Sequence, residues 1–228
     1  MGATVRVGPP VLHVVTDDEI LARPDFRDAA WAVFEAGGPD VALHVRGPAT
    51  RGGRLLEVGE ALRPAAAASG SRLIVNDRVD VAALVGAHGV HLGRRSLPPG
   101  VARGLLAPGV GVGRSAHSPE EAEAAATEGA DWIFIGTVYP TASHPGRPGG
   151  GPEMVRRAVS AAGPVPVFAI GGVSPSRVAE LLAQGAAGVV AMRGIWDAQA
   201  PPRAVEGYLQ ALAARAGAAT TPQNREPS

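Results

Sequence analysis

Three stretches of this chain share one shape: Gly86-Ala87-His88-Gly89-Val90, Gly129-Ala130-Asp131-Trp132-Ile133 and Gly185-Ala186-Ala187-Gly188-Val189. In each, a glycine suited to the left-handed end of a helix precedes a short link and a buried apolar run. That is the corner between a helix and a strand in one recurring unit. The rest of the chain alternates in the same way. Strands are expected at Val11–Thr16, Val41–Arg46, Arg72–Asn76, Gly89–Leu92, Gly111–Ser115, Trp132–Val138, Val165–Ile170 and Gly188–Met192. A helical pattern follows each of them, the last over Pro202–Ala216. Strands joined by helices are parallel, with right-handed crossovers. Eight such units with no second zone of composition predict an α/β chain folded as one (β/α)8 TIM barrel. An open Rossmann-type sheet is the alternative, weakened because no G-x-G-x-x-G follows the first strand. Residues 1–10 read as an N-terminal leader, 11–216 as the barrel and 217–228 as a disordered tail.

Composition narrows the chemistry. Only 4% of residues are aromatic although 46% are hydrophobic, so Val, Ala, Leu and Ile must fill the core. The 21 basic and 21 acidic residues cancel, which speaks against non-specific nucleic-acid binding. Every basic residue is an arginine. Schiff-base chemistry is therefore excluded, and an anion must be held by arginine, backbone or a metal. Without cysteine there is no thiol nucleophile or disulfide. The apolar run Val11–Val15 is too short for a signal sequence, and no segment has the length of a membrane span. A cytoplasmic protein is expected, with a small-molecule partner, no nucleic acid and no membrane; a homo-oligomer is possible.

The stretch Val165–Ile195 is the most informative. After its strand come Gly171 and Gly172, then Ser174-Pro175, an N-cap and a first-turn proline. Glycines allow close backbone approach and a helix start offers free N–H groups, so this is a candidate phosphate site. A tight turn with no ligand is the other reading. Barrel chemistry sits at the C-terminal ends of strands. There the chain places His44 and Arg46 on one face, Asn76-Asp77, and His91 through Ser96. His117 follows the fifth strand, just before a capping box of Ser118 and Glu121. The Gly- and Pro-rich Tyr139–Gly151, with Thr141, Ser143, His144 and Arg147, reads as a mobile lid. Blander expectations stand beside these. His13 and His91 suit core histidines, Ser96 a helix cap near Pro98, and Asn76-Asp77 a simple turn. His117, a lone imidazole at the catalytic end, is the candidate acid or base.

Three segments carry a family resemblance: LIVNDRVDVAALVGAHGVHLG, GRSAHSPEEAEAAATEGADWIFIGTVYPT and VFAIGGVSPSRVAELLAQGAAGVVAMRGI. Together they resemble the thiamine phosphate synthase and TenI family, from about Leu12 to about Ala213. The resemblance implies a (β/α)8 barrel that binds a thiazole phosphate on Gly171 and Gly172 and on the backbone near Arg193 and Gly194. The family holds two activities. Its synthases join a pyrimidine pyrophosphate to the thiazole phosphate with Mg²⁺, and typically carry Q-x-R-x-K, H-L-G-Q-x-D and P-T-x-T-K. Here those positions read His44-Val45-Arg46-Gly47-Pro48, His91 to Ser96, and Pro140-Thr141-Ala142-Ser143-His144. Both lysines and one aspartate are missing, which implies weak or absent synthase activity.

The TenI-like thiazole tautomerases show H-x-R and R-S-x-H-S, matched by His44, Arg46, Arg114, Ser115, His117 and Ser118. The resemblance therefore implies an isomerase that aromatises a thiazole carboxylate phosphate by a proton shift. His117 would shuttle the proton, with Ser115 and Arg46 beside it. His44, Asn76, Thr141, Ser143 and His144 would surround the substrate. No cofactor is expected on this reading; Mg²⁺, with Asp77 as its possible ligand, belongs to the synthase alternative. A non-catalytic barrel binding thiazole or thiamine phosphate is a third possibility.

Overall fold

A parallel sheet whose strands are apolar on both faces has to be covered on both sides, by helices outside and by its own interior inside. The computed structural model, which describes residues 10–141, 146 and 148–218 (215–218 by backbone alone), closes that sheet on itself. Its strands are β1 (Leu12–Val15), β2 (Val41–Val45), β3 (Arg72–Asn76), β4 (Gly89–Leu92), β5 (Gly111–Ala116), β6 (Trp132–Ile135), β7 (Val167–Ile170) and β8 (Gly188–Ala191). Each pairs in parallel with the next. Closure comes from β1, where His13 is registered against both Ala42 of β2 and Val190 of β8. The open-sheet alternative is excluded.

Ten helices lie among the described residues: α1 (Asp18–Leu21), α2 (Phe26–Gly37), α3 (Gly52–Ser69), α4 (Val79–Val85), α5 (Pro99–Arg103), α6 (Pro119–Thr127), α7 (Gly151–Ala162), α8 (Pro175–Ala183), α9 (Arg193–Trp196) and α10 (Pro201–Ala218). The three corner glycines behave as expected. Gly86, Gly129 and Gly185 take φ of +65°, +86° and +91°, where a β-carbon is disfavoured. Short α1 and α9 lie outside the alternating pattern. Strand β6 ends three residues early, because the chain turns at Gly136 toward the mouth. Helix α10 includes Gly217 and Ala218, which the sequence reading assigned to the tail; residues 1–9 and 219–228 lie outside the described residues.

Odd and even positions divide the core. Outward residues such as Leu12, Val14, Leu43, Val75, Val90 and Ile133 pack beneath the helices. The interior holds Val15, Phe134, Phe168 and Val190, with Trp132 and Ile170 against them. Three buried histidines, His13, His44 and His91, complete it. Glycine makes room for the largest ring: a β-carbon on Gly113 would stand 2.1 Å from Trp132 Cε2.

Candidate active site

The C-terminal ends of the strands surround a cleft of about 810 Å³. Arg46, Asn76, His117, Thr141, Gly171, Gly172, Arg193 and Gly194 all line it, together with Ser115 and Asp77. His44 does not. It is 0% exposed, with Nε2 at 2.8 Å from His13 Nδ1 and Nδ1 at 3.0 Å from Asn76 Oδ1. This corrects its assignment as a substrate ligand. Alternation shows which face a side chain takes but not its depth, and His44 sits one layer below Arg46. Burial pushes its imidazole down to about 4 and also lowers His13 and His91 well below their usual range.

One wall of the cleft is cationic. Arg46 follows β2, and Arg94 and Arg95 lie on the loop after β4. None of the three guanidinium groups makes a hydrogen bond or ion pair among the described residues, although the Arg46 backbone is tied to Thr16 Oγ1. That loop is held in place by neighbours. Arg114 Nη1 donates to the carbonyls of Gly93 and Leu97, at 3.0 and 3.2 Å. Asp77 Oδ1 accepts the Gly93 N–H at 2.8 Å and the Ser96 hydroxyl. Ser96 is therefore a tie to β3 and not the cap of α5. Asp77 itself is exposed and adopts φ +63°, a conformation that Asp tolerates better than most side chains. No group of three or more His, Asp or Glu side chains forms a metal cage among the described residues. The open side of the Asp77 carboxylate nevertheless suits Mg²⁺, which takes one or two protein carboxylates and fills its shell with water and substrate phosphate.

His117 and Ser115 lie between the walls. Half of the expected capping box forms: Ser118 Oγ accepts the Glu121 N–H at 3.2 Å. Glu121 Oε2 reaches back to the His117 N–H at 2.8 Å, fixing that residue at the rim. The imidazole Nδ1–H donates to the Gly136 carbonyl at 2.7 Å, leaving Nε2 as the free nitrogen. Deeper in, the Trp132 indole donates to His91 Nδ1 at 3.1 Å. His91 is neutral, so its Nε2–H donates to Ser115 Oγ at 2.9 Å, and the serine hydroxyl hydrogen is free to point elsewhere.

The opposite wall is made of backbone. Gly171 and Gly172 have φ of +100° and +63°. A β-carbon on Gly172 would lie 2.7 Å from Pro140 O, so these turns tolerate no side chain. Ser174 does not cap α8; its hydroxyl pairs with Ser176 Oγ at 2.9 Å. Gly194 approaches Tyr208, whose hydroxyl would stand 2.5 Å from an added β-carbon. Arg193 lines the cleft, but its Nη2 is held by Asp17 and Glu19 at 2.7 and 2.6 Å. Its charge is largely neutralised, and the glycine turns depend on backbone N–H groups. Of the lid residues, Ser143, His144 and Arg147 lie outside the described residues. The described residues on either side of them are anchored: Tyr139 N–H donates to Gly171 O at 3.0 Å, and Gly150 N–H to Thr137 O at 2.9 Å. Tyr208, on the last helix, was not legible as part of this site, because nothing local ties it to residues near 173 and 194.

The comparisons with known proteins agree with one another. A family profile described as "Thiamine monophosphate synthase" matches residues 12–195. The thiamine-phosphate synthase of Acidothermus cellulolyticus is 41% identical over 196 residues, 85% of this chain and 89% of that protein. The thiamine biosynthesis bifunctional protein ThiM/ThiE of Symbiobacterium thermophilum is 43% identical over 209 residues. That match covers 90% of this chain but only 42% of the longer relative. Among solved structures, the thiamine phosphate pyrophosphorylase from Pyrococcus furiosus superposes with a TM-score of 0.77 at 28% identity, covering 90% and 96% of the two chains. These relatives overturn the tautomerase, and hence isomerase, expectation, because relatives at 41% and 40% identity are named thiamine-phosphate synthase. The proton-shuttle role of His117 falls with it. The missing lysines do not by themselves weigh against the names of these relatives. Stabilising an anion needs positive charge near it, whatever residue carries that charge, and Arg46, Arg94 and Arg95 bring three guanidinium groups to the same mouth.

Proposed function

We propose that this chain, which belongs to the thiamine monophosphate synthase family, is a transferase joining a pyrimidine pyrophosphate to a thiazole phosphate. The thiazole ring nitrogen attacks the methylene carbon that bears the pyrophosphate. A C–N bond forms, the C–O bond breaks, and pyrophosphate departs with the bonding pair. No proton moves at the reacting atoms. The protein's work is to align two anionic molecules and to stabilise the charge that gathers on the leaving group.

One observation supports this reading above the others. Two surfaces suited to anions by different chemistry line a single cleft, with guanidinium groups after β2 and β4, a glycine turn after β7 and the start of α9 after β8. The turn at Gly171 and Gly172 and the start of α9 at Gly194 suit the thiazole phosphate, which stays bound through the reaction and needs orientation. Arg46, Arg94 and Arg95 suit the pyrophosphate, whose charge rises as it leaves. Asp77 is the carboxylate that would hold Mg²⁺, which supplies further charge neutralisation to the pyrophosphate when bound. Ser115, Asn76 and Thr141 offer polar contacts to the two rings, and His117 presents Nε2 at the rim.

The test is direct. Purified protein given both substrates and Mg²⁺ is expected to form thiamine phosphate, detected after oxidation to its fluorescent thiochrome. If the chain binds thiazole phosphate yet yields no product, the reading is wrong and a non-catalytic binding barrel takes its place.

A further inference from the structure

The opposite, N-terminal end of the barrel contains a second cavity, of about 290 Å³. The charged and titratable groups that line it are His13, Arg72, His88, Arg103 and Asp131. Most are already satisfied. Arg103 Nη2 bonds Asp131 Oδ2 at 2.8 Å and the Gly129 carbonyl at 2.7 Å. Asp131 Oδ2 also accepts the Val112 N–H at 2.7 Å, and His88 Nδ1 accepts the Leu73 N–H at 3.1 Å. The guanidinium of Arg72, the exposed first residue of β3, makes no hydrogen bond or ion pair among the described residues. With Arg103 balanced by Asp131, the cavity carries one uncompensated positive charge.

Its inner wall presents an unmet polar atom. His13 is 3% exposed, and its Nε2 is the one buried side-chain nitrogen or oxygen without a partner among the described residues. The hydrogen-bond chain above it sets what that atom needs. Asn76 Oδ1 accepts from His44 Nδ1, so the neutral His44 must accept at Nε2 from His13 Nδ1–H. His13 is neutral too, which leaves a bare lone pair on Nε2. The two nitrogens of an imidazole point in widely different directions. Nδ1 is turned to His44, so Nε2 lies on the side of the ring away from it, and the residue lines the cavity. A buried acceptor left without a donor costs about 1–3 kcal/mol, and native proteins rarely leave one.

We propose that this cavity is a second binding site, for a small oxyanion that still carries a proton, of the class of hydrogen phosphate. Its O–H donates to His13 Nε2 while its charged oxygens accept from the Arg72 guanidinium, so one ligand meets both unmet groups. The site lies across the aromatic layer of Phe134 and Phe168 from the catalytic mouth and is independent of the reaction proposed there.

Hydrogen arsenate, which has the shape and protonation of hydrogen phosphate and scatters anomalously, tests this in crystals of the full chain. An arsenic peak beside both Arg72 and His13 Nε2 is expected in the wild type. It should vanish in Arg72→Ala and return in Arg72→Lys, while any peak on the Gly171–Gly172 turn persists in all three. Because Arg72 is exposed, neither substitution threatens folding. Arsenate at the mouth alone, a water on His13 Nε2 in saturating arsenate, or a bottom peak unchanged in Arg72→Ala would each overturn the proposal.

Discussion

The hydroxyl of Tyr208 donates a 2.8 Å hydrogen bond to the carbonyl of Val173, and the same hydroxyl sits where a β-carbon on Gly194 would have to go. One side chain of α10 thereby braces both the Gly171–Gly172 turn and the start of α9. Tyr208→Phe keeps the ring and removes the bond, leaving the Val173 carbonyl without this donor. A net loss of about 1 kcal/mol is expected. Steady-state kinetics should show KM for the thiazole phosphate raised about fivefold with kcat nearly unchanged. An unaltered KM would mean that the turns hold their shape without the brace.

The cationic wall makes a prediction of its own. Replacing Arg94 and Arg95 together by alanine should lower kcat/KM for the pyrimidine pyrophosphate by about 10- to 100-fold, the usual range for lost charge-assisted bonds. Affinity for the thiazole phosphate should hold, because its turns follow other strands. Equal losses for both substrates would place these arginines outside the pyrophosphate contact.

His117 should matter less than its position suggests. In the proposed transfer, bond exchange at the thiazole nitrogen moves no proton, and the imidazole is already committed to the Gly136 carbonyl. His117→Ala is expected to slow turnover by less than about tenfold, well short of the roughly 10²–10⁴-fold of a lost acid or base. A drop inside that larger range in single-turnover rates would give the imidazole a proton to carry, most simply to the leaving group.

Acid should unfold the barrel from its centre. His13, His44 and His91 are neutral when folded, with pKa values held by burial below the ordinary 6.5. As pH falls, the unfolded chain binds their protons first, so stability is full above about pH 6.5 and declines below it. For His44, whose folded value is about 4, the loss amounts to about 3 kcal/mol once that value is reached. Urea midpoints measured from about pH 7.5 to about pH 5 should fall steadily, before most carboxylates titrate. A flat profile across that interval would contradict the buried neutral histidines.

Much of the barrel could be read without coordinates because its signals are local. A glycine that ends a helix, a proline that starts one and a run of β-branched residues act within a few positions of themselves. The sequence therefore revealed the alternation, the three corners, the Ser118 cap of α6 and the glycine turn after β7. The family motifs likewise lie in short contiguous segments. Motif departures were a poorer guide to chemistry, since Pro48, Ser96 and His144 show only which charges are missing and not which others have replaced them.

What needed the tertiary structure is contact between distant positions. Asp17 and Arg193, which meet across the β1–β8 seam at 2.7 Å, are 176 residues apart. Ser96 turned from an expected cap into a tie on Asp77 because β3 and β4 end side by side. His44 sank below the mouth because strand alternation determines which way a side chain points, while depth along the barrel axis depends on how all eight strands are staggered. The sequence by itself determined the repeating unit, since each unit is stabilised by its own turns and caps. Closure of the ring decided which charges are neutralised, which remain free and how deep each histidine lies, because those depend on neighbours that only the closed barrel brings together.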